Sequence, residues 1–351
     1  MGRYKVMKAA VLHDFDCPLE ITEVEDPRLE GPQDVIVKIA GAGICGSDIH
    51  LIEGMFKDGL GTPRFPYVMG HENVGFVHAV GKGVTTIKVG DPVLAHPHIT
   101  CGLCLACRRG NETFCETLVF PGIDGVRFGG FAEYFRTNER ALVKLPSGSD
   151  PKSLVSLTDA GLTAYHAVRN ALGALPPDGA AVIIGLGGVG FFALQILKLF
   201  SPVHTIAVDV AESKLLAAKQ AGADVAIETG PDIVSRVIES NGGKGVDLVF
   251  DCVGIDPVPE QALAMLARGG HYSIIGADKG QVCCGTIAMT VQELSITGNL
   301  VGTIGELSQL AQLTVRRQLK LKQTYYPLDD VNIALDDLRN KKVEGRAILV
   351  P

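Results

Sequence analysis

The chain has no run of lysine or arginine, no tryptophan, and no apolar core in its opening residues, MGRYKVMKAAVLHDF. Phosphate binding depends on clustered Lys and Arg, so the missing basic run, with a net charge of −7, argues against a nucleic-acid surface. The missing signal core argues against a secreted disulfide scaffold, although there are nine cysteines. That number is odd and the chain is long, so a reducing cytoplasm is the expected setting. Val6 stands where a myristoylation signal needs Ser or Thr. No internal repeat and no low-complexity segment is found. One uncharged stretch, 179–197, has the length of a bilayer span, but its five glycines read as strand, turn and helix, and no membrane association is expected.

At 351 residues the chain exceeds the size at which single cores usually stop growing, and two domains are expected. Forty-two glycines and 46% hydrophobic residues suit an α/β protein with tight turns and buried strands. The first part, to about residue 155, is punctuated by Gly and Pro and predicts short strands over 8–12, 34–42, 75–80, 92–95 and 141–144. From residue 160 apolar strands alternate with amphipathic helices. Strands are predicted over 181–184, 205–210, 225–227, 247–253 and 272–275, and helices over 189–200, 213–221, 233–240 and 259–267. Apolar strands bounded by helices imply a parallel sheet covered on both faces. Residues 294–300 offer a sixth strand, and 346–350 a strand that rejoins the first domain.

Cys101, Cys104, Cys107 and Cys115 lie within the fifteen residues CGLCLACRRGNETFC. This spacing lets one short excursion of chain wrap a tetrahedral Zn²⁺ as Cys₄, a closed and therefore structural site. A chain that keeps zinc ligands as reduced thiolates invites a search for others. The candidates are Cys45 in GICGSDIH, His71 in GHE and Asp159 in LTDAGLTAYHA, three ligand types that leave a fourth position for water or substrate. Taken singly, His71 reads more readily as a satisfied core or surface histidine and Asp159 as a helix N-cap.

Gly185, Gly187, Gly188 and Gly190 in GLGGVG follow a predicted strand and open a helix, as a dinucleotide pyrophosphate requires. Asp209, nineteen residues past Gly190, ends the next strand, where a carboxylate accepts from both ribose hydroxyls and repels a 2′-phosphate. The expected cofactor is NAD rather than NADP. The bland alternatives are that Asp209 caps the helix near Ser213, and that Lys214, a second candidate ribose contact, is a solvated lysine.

With GHEx₂Gx₅G over 70–81, CGSDIH, the cysteine quartet, GLGGVG and the terminal GRAILVP, the chain resembles the zinc-dependent medium-chain alcohol dehydrogenases over essentially its whole length. The resemblance implies a GroES-like, mainly β catalytic domain (1–160 and 301–351, with a structural zinc lobe near 97–117), a Rossmann domain with a doubly wound parallel sheet (161–300), and an active site in the cleft between them. It implies NAD and two zinc ions per chain, one catalytic on Cys45, His71 and Asp159 and one structural. Asp at the third ligand position is similar to a subset commoner in microbial enzymes. A hard donor there replaces a soft one, and weaker zinc retention is expected. Glu72 matches a carboxylate near the metal, and Ser47 and His50 match a proton relay, though His50 also reads as a surface-loop histidine. Cofactor contacts fall on Thr163 (nicotinamide), Val189 (pyrophosphate turn), Ile275, Gly276 and Ala277 (carboxamide) and Arg346 (pyrophosphate).

Relatives often place a bulky aromatic before the quartet, where this chain has Pro97 and His98. His98 therefore enlarges or polarises the pocket, or faces solvent beside the zinc lobe. Phe120 is the candidate apolar wall, and a loop over 55–67 is expected to shape the entrance. Cys17, Cys252, Cys283 and Cys284 read as buried small hydrophobes or spectators. The leading function is reversible oxidation of a primary or secondary alcohol to an aldehyde or ketone with NAD. The alternatives are a polyol or sugar dehydrogenase of the same superfamily and a catalytically silent protein that binds NAD and zinc. The resemblance also implies a homo-oligomer, a tetramer or a dimer.

Overall fold

A computed structural model describes residues 5–57, 63–317, 319–320 and 322–351, so that 58–62 of the entrance loop lie outside the described residues. The chain divides into one unit of Met1–Asp159 with Thr303–Pro351 and a second of Ala160–Gly302.

The first unit is built on a seven-stranded sheet. Its order is Gln323–Pro327, Arg346–Val350, Asp34–Ile44, Glu72–Val80, Pro92–Ala95 and Leu142–Lys144, with Tyr134–Asn138 also paired to Asp34–Ile44. A smaller sheet joins Glu20–Glu25, Val6–Leu12 and Tyr67–Val68. Val35, Val37, Val77 and Val93 point inward from these strands and form a buried cluster with Ile87 of the loop between Glu72–Val80 and Pro92–Ala95. The terminal strand runs antiparallel to Asp34–Ile44, with Ala347 opposite Ile44, Ile348 opposite Gly43 and Leu349 opposite Ala42. On its other side, Asp34–Ile44 sets Gly43 opposite Glu72. Residues from the N-terminal and C-terminal parts of the chain therefore meet at one place on this sheet.

The second unit holds a six-stranded, wholly parallel sheet in the order Val225–Glu228, His204–Asp209, Ala180–Ile184, Val246–Asp251, Leu266–Ile274 and Ser295–Gly298. The central strand AAVII is buried along its whole length, as a strand covered on both faces must be. The uncharged stretch 179–197 divides into that strand and the start of the helix Gly188–Phe200. No described helix is long and apolar enough to cross a membrane.

Sequence and structure differ at the fifth strand. It begins at Leu266, within the helix predicted over 259–267 and before the strand predicted over 272–275, because Val246 already pairs with Leu266 before a register shift places Leu248 opposite His271. The helices Ile304–Arg317 and Val331–Arg339 and the strand Gln323–Pro327 of the tail were not anticipated. Among the remaining cysteines, Cys17 and Cys283 are exposed, which removes the buried reading for both.

Candidate active site

Cys45 stands at the N-cap of the short helix Gly46–Ile52. Asp48, at the third helical position, turns back so that its Oδ2 accepts from the Cys45 backbone N–H at 2.7 Å, fixing the cysteine at the end of its strand. The other Asp48 oxygen lies 3.4 Å from His71 Nδ1. One carboxylate thereby positions two ligand candidates, the arrangement that sets the tautomer and direction of a metal-binding imidazole. Sequence reading missed Asp48, although an acid three residues past a helix-start residue was the available signal. On the same helix Ser47 and His50 are three apart and share a face, both half-buried, with Ser47 Oγ 3.7 Å from Cys45 Sγ. The His50 ring packs edge-on to Phe56 at 6.1 Å.

Cys45 Sγ, a His71 ring nitrogen and an Asp159 carboxylate oxygen all lie within 4.8 Å of one another. His71 Nε2 is 3.5 Å from Asp159 Oδ2, and ligands about 2.0–2.1 Å from a tetrahedral Zn²⁺ would stand about 3.3–3.4 Å apart. The electrostatics agree with a cation. Burial opposes protonation of His71, yet the Asp48 charge and hydrogen bonds to Asp159, Asp48 and Cys45 hold its pKa well above the usual value. Burial likewise opposes ionisation of Asp159, but His71 and then Arg346 hold that carboxyl well below the usual range. The pocket draws positive charge, and the donor set is one that zinc accepts. These residues fit the metal.

Arg346 closes this cluster from beneath. Its Nε donates to Glu72 Oε2 and its Nη2 to Asp159 Oδ2, each at 2.7 Å, and all three residues are buried. Burial pushes the Glu72 carboxyl up to about 7 against the pull of Arg346. A β-carbon on Gly43 would overlap the Glu72 carboxylate, so the strand position opposite Glu72 has to be glycine. Gly43 was missed because its neighbour across the sheet is not legible in local sequence. Arg346, expected at a pyrophosphate, spends two of its five N–H donors on these carboxylates.

His98 is 2% exposed, which removes the solvent-facing reading. Ile99 and Val119 form an antiparallel bridge, so His98 and Phe120 stand opposite each other with ring centroids 4.6 Å apart, and Phe120 meets the His71 ring at 5.5 Å. Both therefore belong to the surroundings of the ligand triad.

The quartet forms a second candidate centre. Its four sulfurs lie within 4.8 Å of one another, with Cys115 to Cys101 at 3.6 Å and Cys101 to Cys107 at 4.0 Å. A tetrahedral Zn–S₄ site has sulfurs about 3.8 Å apart. Backbone N–H groups of Cys104 and Leu103 point at Cys101 Sγ from 3.3 and 3.4 Å and lower that thiol to about 6. Burial instead pushes Cys107 up to about 12. The lobe is built around thiolate, and it too fits zinc.

In the second unit the glycine loop leaves the strand Ala180–Ile184 with Gly185 at φ 86°. A β-carbon on Gly190 would overlap the Gly185 carbonyl, which is why the loop can fold tightly onto its helix. Asp209 is buried, and its Oδ2 accepts from the Leu186 N–H at 2.6 Å while its Oδ1 accepts from Ala211 N–H at 3.0 Å. Lys214 Nζ lies 3.7 Å from the same carboxylate. Asp209 thus ties the loop to the start of the next helix. Gly187 is exposed, Gly188 and Val189 are half-buried, and Thr163 is buried in the helix Ala160–Ala171. Ile275 and Gly276 both donate to the Asp251 carbonyl, at 2.8 and 2.9 Å, which fixes the segment leading to exposed Ala277.

Residues 31–147 match the alcohol dehydrogenase GroES-like domain family and residues 188–316 the zinc-binding dehydrogenase family. The chain is 33% identical to an alcohol dehydrogenase of Geobacillus stearothermophilus, over 98% of either chain. It is 34% identical to an NAD-dependent alcohol dehydrogenase of Sulfurisphaera tokodaii, over 98% of this chain and 100% of that one. Its fold matches the crystal structure of the alcohol dehydrogenase from the hyperthermophilic archaeon Aeropyrum pernix with a TM-score of 0.94 and 42% identity, over 98% of this chain and 100% of that one. With both family models matched in order and the relatives aligned end to end, the chain belongs to the zinc-dependent medium-chain alcohol dehydrogenases.

Proposed function

We propose that this protein catalyses the reversible, NAD-dependent oxidation of a primary or secondary alcohol to an aldehyde or ketone. Cys45, His71 and Asp159 would hold the catalytic zinc, and Cys101, Cys104, Cys107 and Cys115 a second, structural zinc. The observation that carries the reading is the buried triad with ligand atoms within 4.8 Å, which supplies three donors and leaves one coordination position for substrate. Zinc in that position supplies Lewis acidity, making an alcohol hydroxyl acidic near neutral pH, and NAD supplies the hydride acceptor.

The remaining work falls to side chains. Ser47 Oγ takes the hydroxyl proton, and His50, on the same helix face, delivers it to solvent. Asp48 holds His71 with Nε2 toward the ligand position, and Arg346 holds Asp159 and Glu72 in place. Phe120 excludes water beside His71, which strengthens every charge interaction there. In the Rossmann unit Gly185, Gly187, Gly188, Val189 and Gly190 would receive the pyrophosphate and Asp209 the adenosine ribose, with Lys214 beside it. Thr163, Ile275, Gly276 and Ala277 are assigned to the nicotinamide end, and the free donors of Arg346 to the pyrophosphate. The working form is taken to be a cytoplasmic homotetramer, with a dimer as the other outcome of light scattering.

Metal analysis tests the reading first: two zinc atoms per chain are expected, and only one, in the quartet, would favour the silent alternative. Cys45→Ser should keep its fold and NAD binding while turnover falls at least about 10³-fold. Full activity in that variant overturns the assignment. Hexan-1-ol, cyclohexanol, sorbitol and glucose, each offered with NAD, separate the alcohol reading from the sugar reading.

A further inference from the structure

The buried imidazole of His98, which packs on the Phe120 ring beside His71, is chemically out of place next to a site for simple apolar alcohols. Neither ring nitrogen has a hydrogen-bond partner among the described residues, although the side chain is 98% buried. A neutral imidazole always carries one donor and one acceptor, and leaving both unused in the interior costs free energy that a phenylalanine at the same place would avoid. Its position is nevertheless enforced. The His98 backbone N–H donates to His96 Nδ1 at 3.0 Å, Pro97 fixes the preceding φ, and Ile99 is pinned to Val119 by bonds of 2.9 and 3.0 Å in both directions. Phe120, also anchored by a 2.7 Å bond from its N–H to Asp124 Oδ2, packs between this ring and His71. Burial first, and then His96, lower the His98 pKa to about 3, so the ring is neutral at any working pH and presents both functions. Asp159 and His71 both lie near enough to act on its charge.

We propose that His98 is a specificity-determining residue whose ring nitrogens hydrogen-bond a second oxygen on the substrate, so that the preferred alcohols are small diols and hydroxyketones rather than monofunctional alcohols. This rests on the alcohol dehydrogenase reading above and names its substrate class. The bond broken and the electrons moved are unchanged: hydride leaves the carbinol carbon for NAD, and the hydroxyl proton leaves by Ser47 and His50. The second oxygen stays intact and serves only to satisfy the imidazole. A site built to hydrogen-bond a substrate hydroxyl discriminates against the analogue without it far more strongly than an apolar pocket discriminates between hydrocarbons.

The test compares butane-2,3-diol with butan-2-ol as substrates for the zinc-loaded enzyme with NAD. The wild type should favour the diol in kcat/KM by at least about tenfold. His98→Phe, which keeps the ring packing on Phe120, should bring that ratio close to one, the diol losing more kcat/KM than butan-2-ol does. His98→Gln, which keeps a donor and an acceptor, should retain part of the preference. Calorimetric titration of each alcohol into the enzyme–NADH complex should give the same ranking without turnover. A wild type without diol preference, or an unchanged ratio in His98→Phe, overturns the inference while leaving the alcohol dehydrogenase reading intact. Turnover of neither alcohol, nor of hexan-1-ol or cyclohexanol, overturns both. If His98→Phe fails to fold, the wild-type ratio and His98→Gln decide.

Discussion

Arg346 and Asp159 form a buried hydrogen-bonded ion pair, Nη2 to Oδ2 at 2.7 Å, across 187 residues of sequence. The same guanidinium holds Glu72 through Nε, so one cation is shared between two buried carboxylates. Replacing Arg346 by Met should destabilise the first unit by about 3–5 kcal/mol, because the loss falls on uncompensated buried charge rather than on a surface contact. Arg346→Lys should recover only part of this, since an ammonium cannot serve two carboxylates with a planar fork. Urea unfolding of the zinc-loaded protein measures the cost. Zinc content after dialysis against a mild chelator should fall at the triad while the quartet keeps its metal. Unchanged stability in Arg346→Met would refute this account of the cluster.

Gly43 gives a prediction of the same cluster from the backbone side. A methyl group at this position meets the Glu72 carboxylate, which has Arg346 on its other side and nowhere to retreat. Gly43→Ala should cost about 1–3 kcal/mol as an overpacking substitution. Adding Glu72→Gln to Gly43→Ala should not restore the site, because the overlapping atoms are still present. Glu72→Ala should relieve it in part. A double-mutant cycle read by urea unfolding reports the coupling, and strict additivity of the two changes would contradict the overlap.

How much of this was open to sequence reading differs by level. Strands 92–95 and 346–350 and the helix 233–240 were read with the bounds observed, because apolar alternation and flanking Gly or Pro are local signals. The six parallel strands followed from apolar runs between amphipathic helices. The ligand triad emerged only from three short motifs taken together, each weak alone. What stayed hidden was register. That Gly43 faces Glu72 on one side and Ile348 on the other, and so delivers Arg346 to Glu72 and Asp159, depends on strand pairings separated by up to about 300 residues, which leave no periodic trace. The burial of His98 was hidden for the same reason, since it follows from the Ile99–Val119 bridge.

In the Rossmann unit, Asp251 is fully buried and both of its carboxylate oxygens accept hydrogen bonds. Tyr272 Oη donates to Oδ2 at 2.7 Å, and the N–H groups of Val253 and Gly254 donate to Oδ1 at 2.8 and 2.9 Å. Tyr272→Phe leaves Oδ2 buried without a donor and should cost about 1–3 kcal/mol. NAD affinity should change little, because the turn at 253–254 hangs on the other oxygen. Asp251→Ala removes both and should weaken NAD binding as well as stability. Thermal unfolding with and without NAD separates the two effects, and equal NAD affinity in both variants would show that the turn holds itself.

The thiolate cradle of the quartet makes zinc uptake by the metal-free protein depend on pH in a stated direction. Zinc binds thiolate, and protons compete for it. Cys101, lowered to about 6 by the N–H groups of Cys104 and Leu103, is largely ionised at pH 7.5, and the backbone N–H groups of Cys107 and Glu116 lower Cys104 too, whereas burial pushes Cys107 up to about 12. The sign follows: a group with a depressed pKa holds its charged form above that pKa and loses it as pH falls through it. Uptake should therefore be rapid at pH 7.5 and slow by about tenfold or more at pH 5, where Cys101 is mostly protonated. A chromophoric zinc indicator follows the exchange, and Cys45→Ser isolates the quartet from the triad. Cys101→Ser should weaken the dependence between pH 5 and 7.5, because the thiol lowered to about 6 is gone. An uptake rate in the parent protein that is level across that interval would mean that the first thiolate is made by the metal rather than waiting for it.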